Sequence, residues 1–216
     1  MRLTRRSSHA IIELTGQYHS WERMTQKAQH ILRTAETLFA AGRYHEVTLD
    51  DICRKAGVGK GTVYRYFRDK EDLYYQVILS GLDELVLTVE KVGKEEQDPG
   101  KGLEHVSECV AHFFTERRCL FRVMWSEQLR GSTRHRKVRQ QQQEKTSRLL
   151  AVMAAFVRRG VEEGKYNSQF SPEAAARLLY GMIRVGLRNR EEMPGGSTWP
   201  SHVTRLFQKG LSVDHA

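Results

Sequence analysis

Apolar residues recur at helical spacing along most of this chain. Ile31, Ala35, Leu38 and Phe39 form one stripe and predict an amphipathic helix from about Gln26 to Ala41. Leu49, Ile52, Cys53 and Ala56 repeat the pattern over a shorter segment, and Val63 with Phe67 marks the inward side of another, from about Gly59 to Tyr66. From Lys70, Ile78, Leu82, Leu85, Val89 and Val92 step by fours and threes, which predicts a single long helix. Further helices are expected over about 103–116, 120–129, 133–163, 171–190 and 201–210. The Gly, Pro and charge content of Gly93 to Gly102 predicts a loop, and Met193 to Pro200 predicts a second break. No segment alternates as a strand would, so the expected fold class is all-α.

Local signals sharpen the boundaries between Thr48 and Leu73. Thr48 is placed to N-cap a helix with Asp51 reaching back in a capping box, and Gly57 supplies the permissive backbone of a sharp turn. Asp69 is placed to cap the long helix that follows. Two short helices about a glycine turn form a helix-turn-helix, and the inward Val63 and Phe67 leave Lys60, Gly61, Thr62, Tyr64 and Arg65 near the outer side. Those residue types suit DNA. Lys and Arg reach base edges or phosphates, hydroxyls bond phosphate oxygens, and a glycine permits close backbone approach.

The stretch GVGKGTVYRYFRDKEDL resembles the recognition-helix signature of the TetR family of bacterial transcriptional regulators. The likeness covers roughly residues 24–75, with Gly59 standing where family members commonly carry a Ser or Thr cap. It implies three parts: an N-terminal extension at 1–23, expected to be disordered; a DNA-binding domain at 24–75; and an effector-binding and dimerisation domain at 76–216. It further implies DNA contacts by Thr48, Gly59, Lys60, Gly61, Thr62, Tyr64, Arg65, Tyr66 and Lys70, within or beside the motif Thr48 to Phe67. The implied function is a repressor that binds a palindromic operator as a homodimer and is released by a small molecule. Two recognition helices related by a two-fold axis would read half-sites one turn, about 34 Å, apart.

Composition agrees with a polyanionic partner, since the 216 residues carry a formal net charge of +9. Much of the excess lies between Arg130 and Arg159, where Glu144 is the one acid in a run of bases before Arg159; a solvated helix face is the expected reading. The chain has 3 cysteines without C-x-x-C spacing, which argues against a disulfide framework and for a cytoplasmic location. The apolar run Leu149 to Val157 is about half the ~20 residues that span a bilayer. Met24 to Lys27 looks like the start of the family domain, leaving the preceding residues as a tail or a basic arm with Arg2, Arg5 and Arg6.

The second domain is rich in aromatic and thioether side chains. Phe113, Phe114, Phe121, Met124, Trp125, Met153, Phe156, Tyr180 and Met182 are candidates to line an effector pocket, as the resemblance implies, and ordinary core is the alternative. Leu178, Leu179, Met182, Ile183 and Gly186 on one late helix, with Val203, Leu206 and Phe207 on the last, are the candidate dimer interface. His105, Cys109 and His112 share a helix face and form a weak metal constellation, which keeps open a metal- or thiol-responsive regulator of the same fold. A constitutive DNA-binding dimer is a further alternative. No cofactor is expected, and the sequence shows no G-x-S-x-G, P-loop, G-x-G-x-x-G or H-E-x-x-H motif, so an enzyme is not expected either.

Overall fold

The computed structural model describes residues 25–42, 44–117, 120, 133–193 and 195–212. The expected extension at 1–23 and nearly all of the helix expected over 120–129 lie outside them. Eight α-helices are described: α1 (Gln26–Ala41), α2 (Leu49–Ala56), α3 (Lys60–Tyr66), α4 (Lys70–Glu95), α5 (Pro99–Glu116), α6 (Thr133–Glu162), α7 (Pro172–Arg188) and α8 (Trp199–Leu211). Among the described residues the one extended pairing is the antiparallel bridge between Tyr166 and Ser212.

Side-chain caps start most of the described helices. Thr25, Thr48, Asp69, Asp98 and Ser171 each accept a backbone N–H in the first turn of the helix that follows. Gly57 ends α2 with φ 64°, a left-handed conformation that strains a residue with a Cβ. The segment from Gly93 to Gly102 departs from its expected loop. Gly93 stays within α4, where an added Cβ would fall 2.8 Å from Val152, and Pro99 at the first position of α5 suits a helix whose N–H there has no partner.

Helices α1–α3 close around Ile31, Leu32, Ala35, Phe39, Ile52, Val63 and Phe67, all essentially fully buried. The first turn of α4 completes this core with Leu73, and Phe39 meets Tyr74 edge-on at 4.9 Å between centroids. Farther along, Ile78, Leu82, Leu85 and Val89 of α4 are buried in the second unit. One continuous helix therefore carries both cores.

In that second unit α5 is central, packed on α4, α6, α7 and α8 through Leu103, Val106, Val110 and Phe114. Helix α6 runs alongside α4 in the same direction. Lys145 pairs with Asp83, Arg148 with Glu90 at 2.7 Å, and Arg159 donates to the carbonyls of Glu96 and Gln97. The basic run expected as a solvated face is thus partly engaged by acids of α4 and by carbonyls just after it, and Arg158 is paired with Glu173 of α7 at 2.6 Å.

Candidate nucleic-acid interface

The outer side of α3 is built by what lies under it. Val63 and Phe67 are 1% exposed, which fixes the rotation of the short helix and turns Lys60, Gly61, Tyr64 and Arg65 to the surface; Thr62 is half-buried. Tyr64 is 53% exposed, far more than a structural tyrosine needs. A Cβ at Gly59 or Gly61 would meet nothing within 4 Å, so the protein itself does not require glycine for space there. Gly59 caps α3 without a side-chain hydrogen bond.

Several of the expected contact residues have partners within the protein. The Thr48 hydroxyl accepts from the Asp51 N–H at 3.1 Å and donates to the Asp51 carboxylate at 2.6 Å, so it is engaged in the capping box. The bond from the Thr48 hydroxyl first, and then that from the Thr48 N–H at 3.0 Å, hold the Asp51 carboxyl below its ordinary pKa. Lys60 is 2.8 Å from Asp50 of α2, and that hydrogen bond raises the pKa of its ammonium.

Lys70 is likewise engaged within the protein. Its ammonium donates to the carbonyls of Tyr44 at 2.9 Å and Val47 at 3.0 Å and lies 4.3 Å from the centre of the Tyr44 ring. It ties the loop after α1 to the start of α4, so it has a role in the fold that an exposed phosphate contact would not have.

One cluster is not legible from the sequence. The Tyr66 phenol has a lowered pKa, caused first by a hydrogen bond with the Thr25 side chain and then by Arg65, with Lys27 contributing. The Arg65 guanidinium lies 5.3 Å from the Tyr66 ring centre. Thr25 and Lys27 at the start of α1 therefore join Arg65 and Tyr66 at the end of α3 in one hydroxyl-and-cation group. The one sequence signal is the start pattern Met24 to Lys27, and nothing in it points to a residue some forty positions away.

The expected effector residues separate. Phe114, Met153 and Phe156 are at most 2% exposed and Tyr180 is 7% exposed, which makes them core; Phe113 and Met182 are half-buried. Burial pushes the Tyr180 phenol up to about 12. Phe121, Met124 and Trp125 lie outside the described residues. Of the described candidates Phe156 also lines a groove of about 430 Å³ between α4 and α6, together with the apolar Val152 and Ala155 and the charged Glu90, Lys94, Arg148 and Arg159.

The expected dimer residues separate likewise. Leu179 and Ile183 are fully buried within the protomer, Phe207 is 9% exposed, and Gly186 lies under Trp199, where a Cβ would come within 2.3 Å of the indole. Leu178 and Leu206 are instead more than half exposed, with Met182 and Val203 partly so, and Val185, outside the expected set, is exposed beside them. The metal constellation does not assemble. Among the described residues no group of three His, Cys, Asp or Glu side chains is placed to hold an ion; His105 faces Glu96 at 3.5 Å, and burial raises the Cys109 thiol pKa. No described helix is long and apolar enough to cross a membrane.

Comparison with known proteins agrees with this geometry. Residues 31–77 match the model of the bacterial regulatory proteins of the tetR family. The chain is 20% identical over 157 residues, 73% of its length and 79% of the relative's, to the fatty acid metabolism regulator protein of Bacillus subtilis. Among solved structures, the TetR family transcriptional regulator PfmR from Thermus thermophilus is 27% identical with a TM-score of 0.67, covering 85% of this chain and 99% of that one. The transcriptional regulator FadR from Bacillus subtilis, solved in complex with stearoyl-CoA, has a TM-score of 0.69 at 22% identity over 85% of this chain and 98% of that one. A helix-turn-helix with an exposed basic and aromatic recognition face, carried on a larger helical unit, is matched over residues 31–77 by that model, which identifies this segment as a DNA-binding helix-turn-helix of the TetR type and makes the chain similar to the transcriptional regulators of that family.

Proposed function

We propose that this protein is a repressor that binds a palindromic operator as a homodimer and is released by an anionic, largely apolar small molecule. The observation that carries the DNA-binding part is the rotation of α3. Buried Val63 and Phe67 turn Lys60, Tyr64 and Arg65 to the surface, where they serve as phosphate and base contacts, with Gly59 and Gly61 allowing close approach and Thr62 at the margin. Tyr66, Thr25 and Lys27 add a phosphate contact at the edge, Thr48 positions α2 through its cap, and Lys70 fixes the loop beneath.

Dimerisation is supported by the outward apolar side of α7 and α8. Leu178, Met182 and Val185 share one face of α7, and Val203 and Leu206 share one of α8. A self-complementary patch of this kind brings two recognition helices onto one side of the duplex.

The effector class is supported by the groove between α4 and α6. Its lining combines the apolar Ala151, Val152, Ala155 and Phe156 with three cations against Glu90. That chemistry suits a chain or ring that ends in a carboxylate or phosphate, the class to which the stearoyl-CoA of the Bacillus subtilis protein belongs. An effector that binds better to one tilt of α4 than to another releases DNA by that difference in affinity. The test is selection of a palindrome from a random duplex pool, followed by titration of the complex with stearoyl-CoA, stearate and coenzyme A. Release by the acyl compounds and not by coenzyme A alone is expected. Selection of no palindrome would overturn the regulator reading, and an unaffected complex would leave a constitutive DNA-binding dimer.

A further inference from the structure

We propose that Arg117 is a positioning residue for DNA recognition: it clasps the helix-turn-helix unit to the effector unit and fixes the angle at which α3 is presented. This rests on the reading that α3 of each protomer meets one half-site.

Arg117 ends α5, its N–H donating to the Phe113 carbonyl at 3.0 Å. Its Nη2 donates to Glu84 Oε2 of α4 at 2.6 Å, while its Nε lies 3.5 Å from Glu36 Oε1 of α1. The guanidinium stacks 4.8 Å from the centre of the Phe113 ring. One planar group thus touches three helices, two in or entering the effector unit and one in the DNA-binding unit. A guanidinium can do this because its donors diverge in a rigid fork, which an ammonium lacks.

The seat of this group is firm. The end of α5 approaches α4 at Gly81, where an added Cβ would fall 2.4 Å from Leu120 and 3.5 Å from both Phe113 and Arg117. Glu36 is only 24% exposed; desolvation raises its pKa, Arg117 lowers it, and the nearby Glu84 carboxylate (raising) and Arg33 (lowering) contribute less. A carboxylate so far out of water is costly to leave without its counter-charge, so the pair resists separation. The covalent link between the units is the single helix α4, on which α1 packs. Arg117 supplies a second point of attachment off the axis of that helix. Its loss should loosen orientation without removing any atom that meets DNA.

The experiment compares wild type with Arg117→Met, which keeps an unbranched apolar stem over Phe113, and with Arg117→Lys and Glu36→Gln. Binding is measured by fluorescence anisotropy to the palindrome selected by wild type, to versions with the half-sites moved by a single base pair, and to one half-site alone; thermal melts are run in parallel. Wild type should prefer one spacing. In Arg117→Met that preference should fall at least about fivefold, with half-site affinity within about twofold of wild type. Arg117→Lys should rescue it only in part, and Glu36→Gln combined with Arg117→Met should add little to either alone. Retention of the spacing preference in Arg117→Met, or a loss that follows half-site affinity and melting temperature together, overturns the clasp. A wild type without any preferred spacing overturns the dimeric reading itself, and the clasp with it.

Discussion

The Asp50 carboxylate lies 2.8 Å from the Lys60 ammonium, so the first basic residue of the recognition helix is held by an acid of the helix before it. Both side chains are more than half exposed. A phosphate that takes Lys60 must displace Asp50 and lie near its charge. Asp50→Asn should therefore raise affinity for random-sequence duplex by about two- to fivefold, the range of exposed ion pairs, and steepen the salt slope by up to ~0.9. Operator affinity should rise less, because base contacts are unchanged. An unaltered affinity at low salt, where such pairs count most, would show that Lys60 does not meet phosphate.

Lys70→Ala should lower stability as well as DNA binding. The two carbonyls it serves, on Tyr44 and Val47, would lose a charged donor, and the Tyr44 ring would lose its cation. A cost of about 1–3 kcal/mol is expected, a fall of about 2–12 °C in melting temperature for a chain of this size. Calorimetry of Lys70→Ala beside Tyr64→Ala separates the two roles. Tyr64, 53% exposed, should leave the melt unchanged and weaken DNA binding alone.

The helix-turn-helix is legible in the sequence because its determinants are local. Thr48 with Asp51, the Gly57 turn, the Val63–Phe67 pair and the Asp69 cap each act within a few residues, and the structure forms every one. What escapes the sequence acts at a distance. The acids opposite the basic run of α6, Asp83 and Glu90, stand 62 and 58 positions before Lys145 and Arg148, and Lys70 finds its acceptors 23 and 26 positions away. Periodicity marks Leu178, Leu179, Ile183 and Phe207 alike as apolar. Only tertiary packing assigns Leu179, Ile183 and Phe207 to the protomer and leaves Leu178 outside. Gly186 belongs to the same case, since its partner Trp199 falls in the segment expected as a break.

Asp98 gives a stability difference that depends on pH. Its carboxylate caps α5 through the Lys101 N–H at 2.9 Å and pairs with Lys165 at 3.0 Å. The cap bond first, and then Lys165, hold its pKa below the ordinary 3.8. A depressed carboxyl pKa contributes stability that is fully present above the unfolded value and lost as pH falls through the folded one. Asp98→Ala should cost about 1 kcal/mol near pH 7, the usual size of a lost cap. Urea unfolding should show the gap between wild type and variant narrowing below pH 3.8 and constant from pH 6 to 8. A gap that persists at pH 3 would assign the effect to packing.

Leu206 and Phe207 are neighbours on α8 with opposite environments, 65% and 9% exposed. Leu206→Glu leaves a solvated carboxylate on a free protomer and places a buried charge in an interface built on this face, at a cost of several kcal/mol. With Leu178→Glu, which adds a second charge to the adjoining helix, the protein should sediment as a helical monomer and lose tight binding to the palindrome while keeping half-site affinity. Phe207→Glu places its charge within the protomer, against a core that includes Leu211 and Trp199. It should lose helicity or melt far below wild type, since truncating a buried Phe alone costs about 3–5 kcal/mol. The contrast identifies the surface: an intact dimer in the Leu178→Glu, Leu206→Glu protein would move the interface away from the outer side of α7 and α8.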